Sequence, residues 1–285
     1  MRLLRAVTFA CLCSVVGCVL FTDLDGLTGG TDAHDASPET AAQDATTMGA
    51  DALQPPHEAG TGFCDTTGAD AAYCEDFDRL TDVSSLVPES SAPGLVNITQ
   101  GAYRSPPRAL RFTLPAGESG QYAVVRHSFP TERPVRLELD MWLQQVVATS
   151  PGQTMQFHSI DRMNASVALE RNCVDGDAGP ECAYFVSVCI FNREGGSPCE
   201  NHFFDQHLAS LDGFSRIALE ARFAETGGYF KLEQDGATLL DVQTVTHLGT
   251  LPADAPTNVT VGVGTVFGKA GATNIVVDNV LIDVR

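Results

Sequence analysis

Beyond residue 100, apolar and polar side chains alternate with a period of two through most of the chain. The alternation runs through 109–114, 122–129, 135–146, 155–160, 166–170, 184–191, 216–223, 229–234, 238–242, 259–267 and 274–284. In an extended strand successive side chains point to opposite faces, so each stretch predicts a β-strand with one buried face. Turn-forming residues fill the gaps, among them Pro130, Pro151, Asp235-Gly236 and Gly271. The Asp-Gly pair between 229–234 and 238–242 predicts a two-residue hairpin. No segment sustains the 3.6-residue period of an amphipathic helix. Eleven such strands with almost no helix predict an all-β domain of two packed antiparallel sheets, a sandwich or jelly roll.

The clearest alternation is 135–146. Val135, Leu137, Leu139, Met141 and Leu143 fall on one face, and Arg136, Glu138, Asp140, Trp142 and Gln144 on the other. The first set predicts core. The second predicts a polar outward face carrying the chain's single tryptophan.

The N-terminus obeys different rules. Arg2 and Arg5 precede a mostly apolar run from residue 6 to 17, the length of a signal-peptide core and too short for a bilayer span of roughly 20 residues. Val15-Val16-Gly17-Cys18 resembles the bacterial lipobox, which implies cleavage before Cys18 and lipidation of that cysteine. Several acyl chains make such an attachment effectively permanent. Val19 stands where an inner-membrane retention signal has Asp, which favours the outer membrane or cell surface. Residues 23–62 hold eight acidic side chains and no Lys or Arg, with Pro55-Pro56 near the end. Such a stretch is expected to be a disordered, self-repelling tether. The predicted organisation is therefore a leader over 1–17, a lipidated Cys18 and acidic tether over 18–62, and one domain over 63–285.

Charge narrows the partners. The net charge is -19, and the only lysines are Lys231 and Lys269. A surface this acidic repels phosphate backbones, which argues against a nucleic-acid partner. With Cys11, Cys13 and Cys18 assigned to the leader and the lipid site, six cysteines remain: Cys64, Cys74, Cys173, Cys182, Cys189 and Cys199. An even number suits an oxidising compartment. Their spacing groups them as 64 with 74, 173 with 182 and 189 with 199, each pair closing a short polar loop that contains glycine. Paired C-x-x-C spacing, the usual sign of a zinc site, is missing.

The segments Tyr73-Cys74-Glu75-Asp76-Phe77-Asp78, Ser105-Pro106-Pro107-Arg108-Ala109-Leu110, the hairpin 230–240 and Val277-Asp278-Asn279-Val280 resemble the concanavalin A-like (LamG-like) jelly rolls of bacterial surface lipoproteins. The resemblance covers about 74–285 and implies a curved sheet whose outward face can hold sugars. Under it, Arg136, Glu138, Asp140, Trp142 and Gln144 are the expected ligand-binding residues, since a flat aromatic flanked by paired donors and acceptors suits a pyranose. The implied partner is a glycan or another cell-envelope component, bound without catalysis. A purely structural or adhesive role is a further alternative.

Two enzymatic resemblances also arise. Glu138 and Asp140 begin the E-x-D motif of laminarinase-like hydrolases, but Trp142 and Leu143 occupy the positions of the second glutamate that donates the proton. Gln156-Phe157-His158 and Tyr229-Phe230-Lys231 echo the Q-[IV]-H and Y-x-K-x-G-x-Y motifs of jelly-roll alginate lyases. Gln156, His158, Tyr229 and Lys231 would then converge on a uronate, although Glu233 replaces the motif glycine and Asp235 the catalytic tyrosine.

For metals, similar modules place a structural calcium between the chain ends, which would use Glu75, Asp76 and Asp278. Hydrogen bonding of Asp278 to backbone amides explains that residue without metal. Asp175-Gly176-Asp177 begins like a calcium loop, but Val186 stands at its twelfth position. His202, Asp205 and His207 form a weaker transition-metal candidate. No nucleophile elbow, P-loop or dinucleotide fingerprint is present.

Overall fold

The computed structural model describes residues 62–68, 70–92, 95–117, 120–146, 152–176, 179–191, 198–204, 213–224, 228–245, 255–268 and 271–285. The expected leader, Cys18 and the tether up to residue 61 lie outside these residues. The described chain opens with one helical turn, α1 (Phe63–Thr66), which the Cys64–Cys74 disulfide ties to strand β1 (Tyr73–Glu75). A single 3-10 turn follows at Ser84–Leu86, and everything else regular is strand.

Those strands are β2 (Glu89–Ser90), β3 (Val96–Thr99), β4 (Ala109–Leu114), β5 (Tyr122–Phe129), β6 (Val135–Val146), β7 (Gln153–Arg162) and β8 (Ala165–Gly176). They continue with β9 (Gly179–Ile190), β10 (Cys199–Phe203), β11 (Ser215–Arg222), β12 (Tyr229–Gln234), β13 (Ala237–Val242), β14 (Thr257–Phe267) and β15 (Thr273–Val284). One sheet has eight strands in the order β13-β12-β11-β6-β15-β4-β3, with β1 added alongside β15; the other has seven, β10-β9-β8-β7-β14-β5-β2. The pairings are antiparallel throughout. The result is a two-sheet antiparallel jelly-roll sandwich, as the alternation predicts.

The sheets are held together by the apolar halves of the alternating strands. Leu137, Leu139, Met141 and Leu143 of β6 are fully buried and share one core with Phe157 and Ile160 of β7, Val167 and Leu169 of β8, and Val259, Val261 and Val263 of β14. Burying each such side chain contributes roughly 1.5–3 kcal/mol. The predicted hairpin forms between β12 and β13: Asp235 and Gly236 have φ of 51° and 80°, as the right-handed twist of its flanking strands requires.

All three expected disulfides form. Cys173 lies directly opposite Cys182 across the β8–β9 ladder, and Cys189 opposite Cys199 across β9–β10. Four strands escape the periodicity reading, namely β1, β2, β3 and β10. β1, β2 and β3 have two to four residues, too few for a period of two to register, and β10 has Glu200, Asn201 and His202 polar in a row.

One local irregularity shapes both sheet faces. At Gly262, φ is +147°, and a Cβ there would lie 2.2 Å from the Ala123 carbonyl oxygen and 2.7 Å from Val124 Cα. Only glycine lets β14 approach β5 this closely. The β14–β7 register shifts at the same place, between Val261 and Gly264, and the β7–β8 register shifts between Gln156 and His158.

Candidate functional site

The outward face of the eight-stranded sheet carries the residues the β6 alternation singled out. Arg136, Glu138 and Asp140 do come together, but with cations and carboxylates of neighbouring strands. Arg136 donates to Glu138 at 2.6 Å and to Glu233 on β12, and lies 3.5 Å from Glu220 on β11. Arg216 on β11 bridges Glu138 and Asp140 at 3.2 and 3.3 Å. Lys231 pairs with Glu233, and Arg285 with Glu220 at 3.1 Å. Burial raises the Glu138 carboxyl, but Arg136 and Arg216 outweigh it and hold the group below the usual range. Trp142 is half-buried in a small apolar cluster with Ala102, Tyr103, Ala109, Phe214 and Val276, its ring 5.7 Å from that of Phe214. Gln144 accepts from Asn274 at 3.3 Å. This face is a satisfied, charge-paired surface and not the open cleft expected of it.

The four residues of the lyase-like motifs are separated. Two positions apart on a regular strand, Gln156 and His158 would share a face. The register shift between them turns His158 into the core instead, where its Nε2 lies 3.1 Å from Met141 Sδ and its Nδ1 accepts from Gly262 N at 3.3 Å. Burial pushes its imidazole down to about 3, so the ring is neutral. Tyr229 and Lys231 belong to the opposite sheet, where Tyr229 donates to Glu220 at 2.6 Å and Lys231 pairs with Glu233. Gln156 alone faces a cavity.

The residues proposed for calcium are also committed elsewhere. Asp278 Oδ2 accepts the backbone N–H groups of Arg104 and Ser105 at 2.7 and 2.8 Å, and Oδ1 that of Asn279 at 2.8 Å. Burial nonetheless pushes Asp278 up to about 7 against the pull of these donors. Glu75 accepts from Phe77 N at 2.9 Å. Among the described residues no three His, Cys, Asp or Glu side chains gather as a metal-binding group. Asp175 and Gly176 end β8, paired with Pro180 and Gly179 of β9, and Asp177 falls outside the described residues. His202 lies beside Glu200 at 3.2 Å and against the Phe230 ring; Asp205 and His207 fall outside the described residues.

A cavity of about 200 Å³ lies on the other outward face, that of the seven-stranded sheet. Strand register explains it. One row across the sheet runs Tyr122, Gly264, Gln156, Glu170; the next runs Arg126, Thr260, Ser159, Ala168, Ser187; a third runs Asn258, Asp161, Ser166, Cys189. Small side chains in the middle of each row leave a depression, and the larger ones at its borders make the walls. Met163, at the β7–β8 turn, and Phe191 add an apolar lip.

The ionisable groups of this groove have partners in or beside it. Asp161 accepts from Ser159 at 2.7 Å and from Ser166; burial raises its carboxyl, with these hydroxyls and Arg126 pulling back. Arg126 pairs with Glu89 at 3.2 Å. Glu170 accepts from Ser187 at 2.7 Å, and burial pushes it up to about 7.

Glu170 makes stability pH-dependent in a defined window. Its carboxyl ionises near the ordinary 4.5 in the unfolded chain and near 7 in the fold. The unfolded state therefore gains from ionisation first, and the cost to the fold accrues as pH rises between those values and is constant above them. Glu170→Gln keeps an acceptor for Ser187 but cannot ionise. Its melting temperature relative to wild type is expected to rise from pH 4.5 to 7 by about 5 °C, on the order of 2 kcal/mol, then level off. A difference that stays constant with pH would show Glu170 ionising normally.

Neither a family model nor a curated protein matches the chain. Solved structures do. An alginate lyase, Aly36B, determined with alginate trisaccharide, superposes with a TM-score of 0.50 at 13% identity, covering 75% of this chain and 98% of the lyase. Cellulose induced protein Cip1 gives a TM-score of 0.47 at 13% identity over 74% of this chain and 96% of its own. A glycoside hydrolase family 16 endo-glucanase from Bacteroides ovatus gives 0.46 at 12% identity over 74% and 99%. At these identities the likeness concerns the fold, a jelly-roll sandwich of the concanavalin A-like type.

Proposed function

We propose that this chain is an exported, lipid-anchored protein whose jelly roll binds glycan through the groove of the seven-stranded sheet, without catalysis. The observation that carries this reading is the groove itself: a cavity of about 200 Å³ floored by small side chains and edged by Tyr122, Gln156 and Phe191. Such concavities, mostly apolar with a few directed polar groups, suit ligands of sugar size. Three disulfides agree with export, and Cys18 would carry the lipid. No described helix is long and apolar enough to cross a membrane.

The test is a glycan array probed with the full chain. Tyr122→Ala and Gln156→Ala are expected to abolish retention that Trp142→Ala leaves intact; the reverse pattern would return the site to the eight-stranded sheet. A second reading, saccharide cleavage, draws on Glu170, a buried groove carboxyl held near 7 and so able to donate a proton at neutral pH. New reducing ends released from a bound polymer, and lost in Glu170→Gln, would establish it. Their absence keeps the groove a binding site.

A further inference from the structure

The row of side chains that crosses the cavity does not stop at the cavity wall. Tyr122, Gly264, Gln156 and Glu170 line the cavity. The same register carries the row on from Glu170 to Phe185 on β9, and from Phe185 to Phe203 on β10. Neighbouring residues fix which way these two side chains face. Ser187 and Cys189, two and four positions beyond Phe185, line the cavity, whereas His202, next to Phe203, lies against the buried Phe230 ring of the opposite sheet. Since side chains alternate along a strand, Phe185 and Phe203 share the outward face with the cavity.

Outward positions of a two-sheet sandwich normally carry polar side chains, and here one register pair holds two phenylalanines. Their ring centroids lie 5.1 Å apart at an interplanar angle of 39°, within the range aromatic pairs prefer. Phe185 is 3% exposed and Phe203 59%, so the first ring packs beside the second and leaves the second to solvent. The Cys189–Cys199 disulfide ties β10 to a residue of the cavity lining, which holds the Phe203 ring in place relative to the cavity at the last strand of the sheet.

The row is long. Neighbouring strands lie about 4.8 Å apart, so the five spacings from β5 to β10 cover about 24 Å. A sugar unit in an extended chain is about as long as one such spacing is wide, and a single sugar seated in the cavity would not reach Phe203. An exposed aromatic ring offers the flat apolar surface on which a pyranose packs.

We infer that Phe203 is a sugar-stacking position outside the cavity, and that the ligand is an extended glycan chain of about five units lying across the strands from Tyr122 to β10. The inference rests on the glycan-binding reading above and adds the length of the ligand and a residue that meets its far end.

Affinity gels cast with a β-glucan, a mannan, a xylan or alginate, and run with the full chain, identify a retaining polymer. Titration calorimetry with its three-unit and six-unit oligosaccharides then tests the inference. The wild type is expected to bind six units about tenfold more tightly than three, the size of one aromatic contact. Phe203→Ala should remove that advantage and leave three-unit binding unchanged, and Phe203→Trp should keep it. Tyr122→Ala, within the cavity, should weaken both lengths. Three units bound by the wild type as tightly as six, or a Phe203→Ala loss that is absent or equal for both lengths, overturns the inference and leaves the groove standing. Retention on no polymer overturns the glycan reading itself.

Discussion

Reducing all three disulfides is expected to lower the stability of the domain by about 8 kcal/mol, enough to unfold it at physiological temperature. The bridged residues are separated by 10, 9 and 10 positions. Closing a loop of this length removes roughly 2.5 kcal/mol of chain entropy from the unfolded state, and three such closures together match the whole stability of a typical domain. The effect is large because the bridges serve margins that the core does not hold. Cys64–Cys74 fastens α1, which buries no residue of its own, and Cys189–Cys199 fastens the edge strand β10, whose residues are half-buried or exposed. The measurement is the urea midpoint of the oxidised chain against the reduced and alkylated one. An unchanged midpoint would mean that the sheets alone hold the fold.

The second large effect comes from one methyl group. Gly262→Ala is expected to cost about 4 kcal/mol, or a fall in melting temperature of about 10 °C. The new Cβ would overlap backbone atoms of Ala123 and Val124 on β5, which cannot move aside as a side chain could. A left-handed backbone unsuited to alanine adds to the overpacking. Gly101→Ala is the control, because a Cβ there meets nothing within 4 Å, and it should change stability by no more than about 0.5 kcal/mol. Should both variants melt alike, the close approach of β14 to β5 is not a constraint on the fold.

Most of the architecture is legible in the amino-acid sequence. The bounds read for 109–114, 122–129, 135–146 and 229–234 coincide with β4, β5, β6 and β12, because half-buried strands of six residues or more write their two faces into alternate positions. Strand β8 runs past the expected 166–170 to Gly176. Its extension is polar, and what keeps it extended is the facing strand and the Cys173–Cys182 bridge, neither visible within a short window.

The site was far less legible, for three physical reasons. Alternation along β6 tells which side chains leave the core but not what they meet outside; Arg216, Glu220 and Glu233, supplied by strands more than 70 residues away, take up the β6 charges. The Gln156–His158 spacing presumes a regular strand, and a register shift between them sends His158 inward. The groove escapes because its floor is made of small residues, Ser159, Ser166, Ser187, Thr260 and Gly264, none of which draws attention as chemistry. The available signal was the recurrence of small side chains at outward positions of four predicted strands.

The position of α1 matters beyond its stability. Phe63 of α1 lies over the Arg216 guanidinium, 4.8 Å from ring centroid to Cζ, on the charge-paired side of the sandwich. A pull applied at Gly62 would thus act on the back of the molecule. The hollow of the seven-stranded sheet looks the opposite way, so a force on that end of the chain would not cross it.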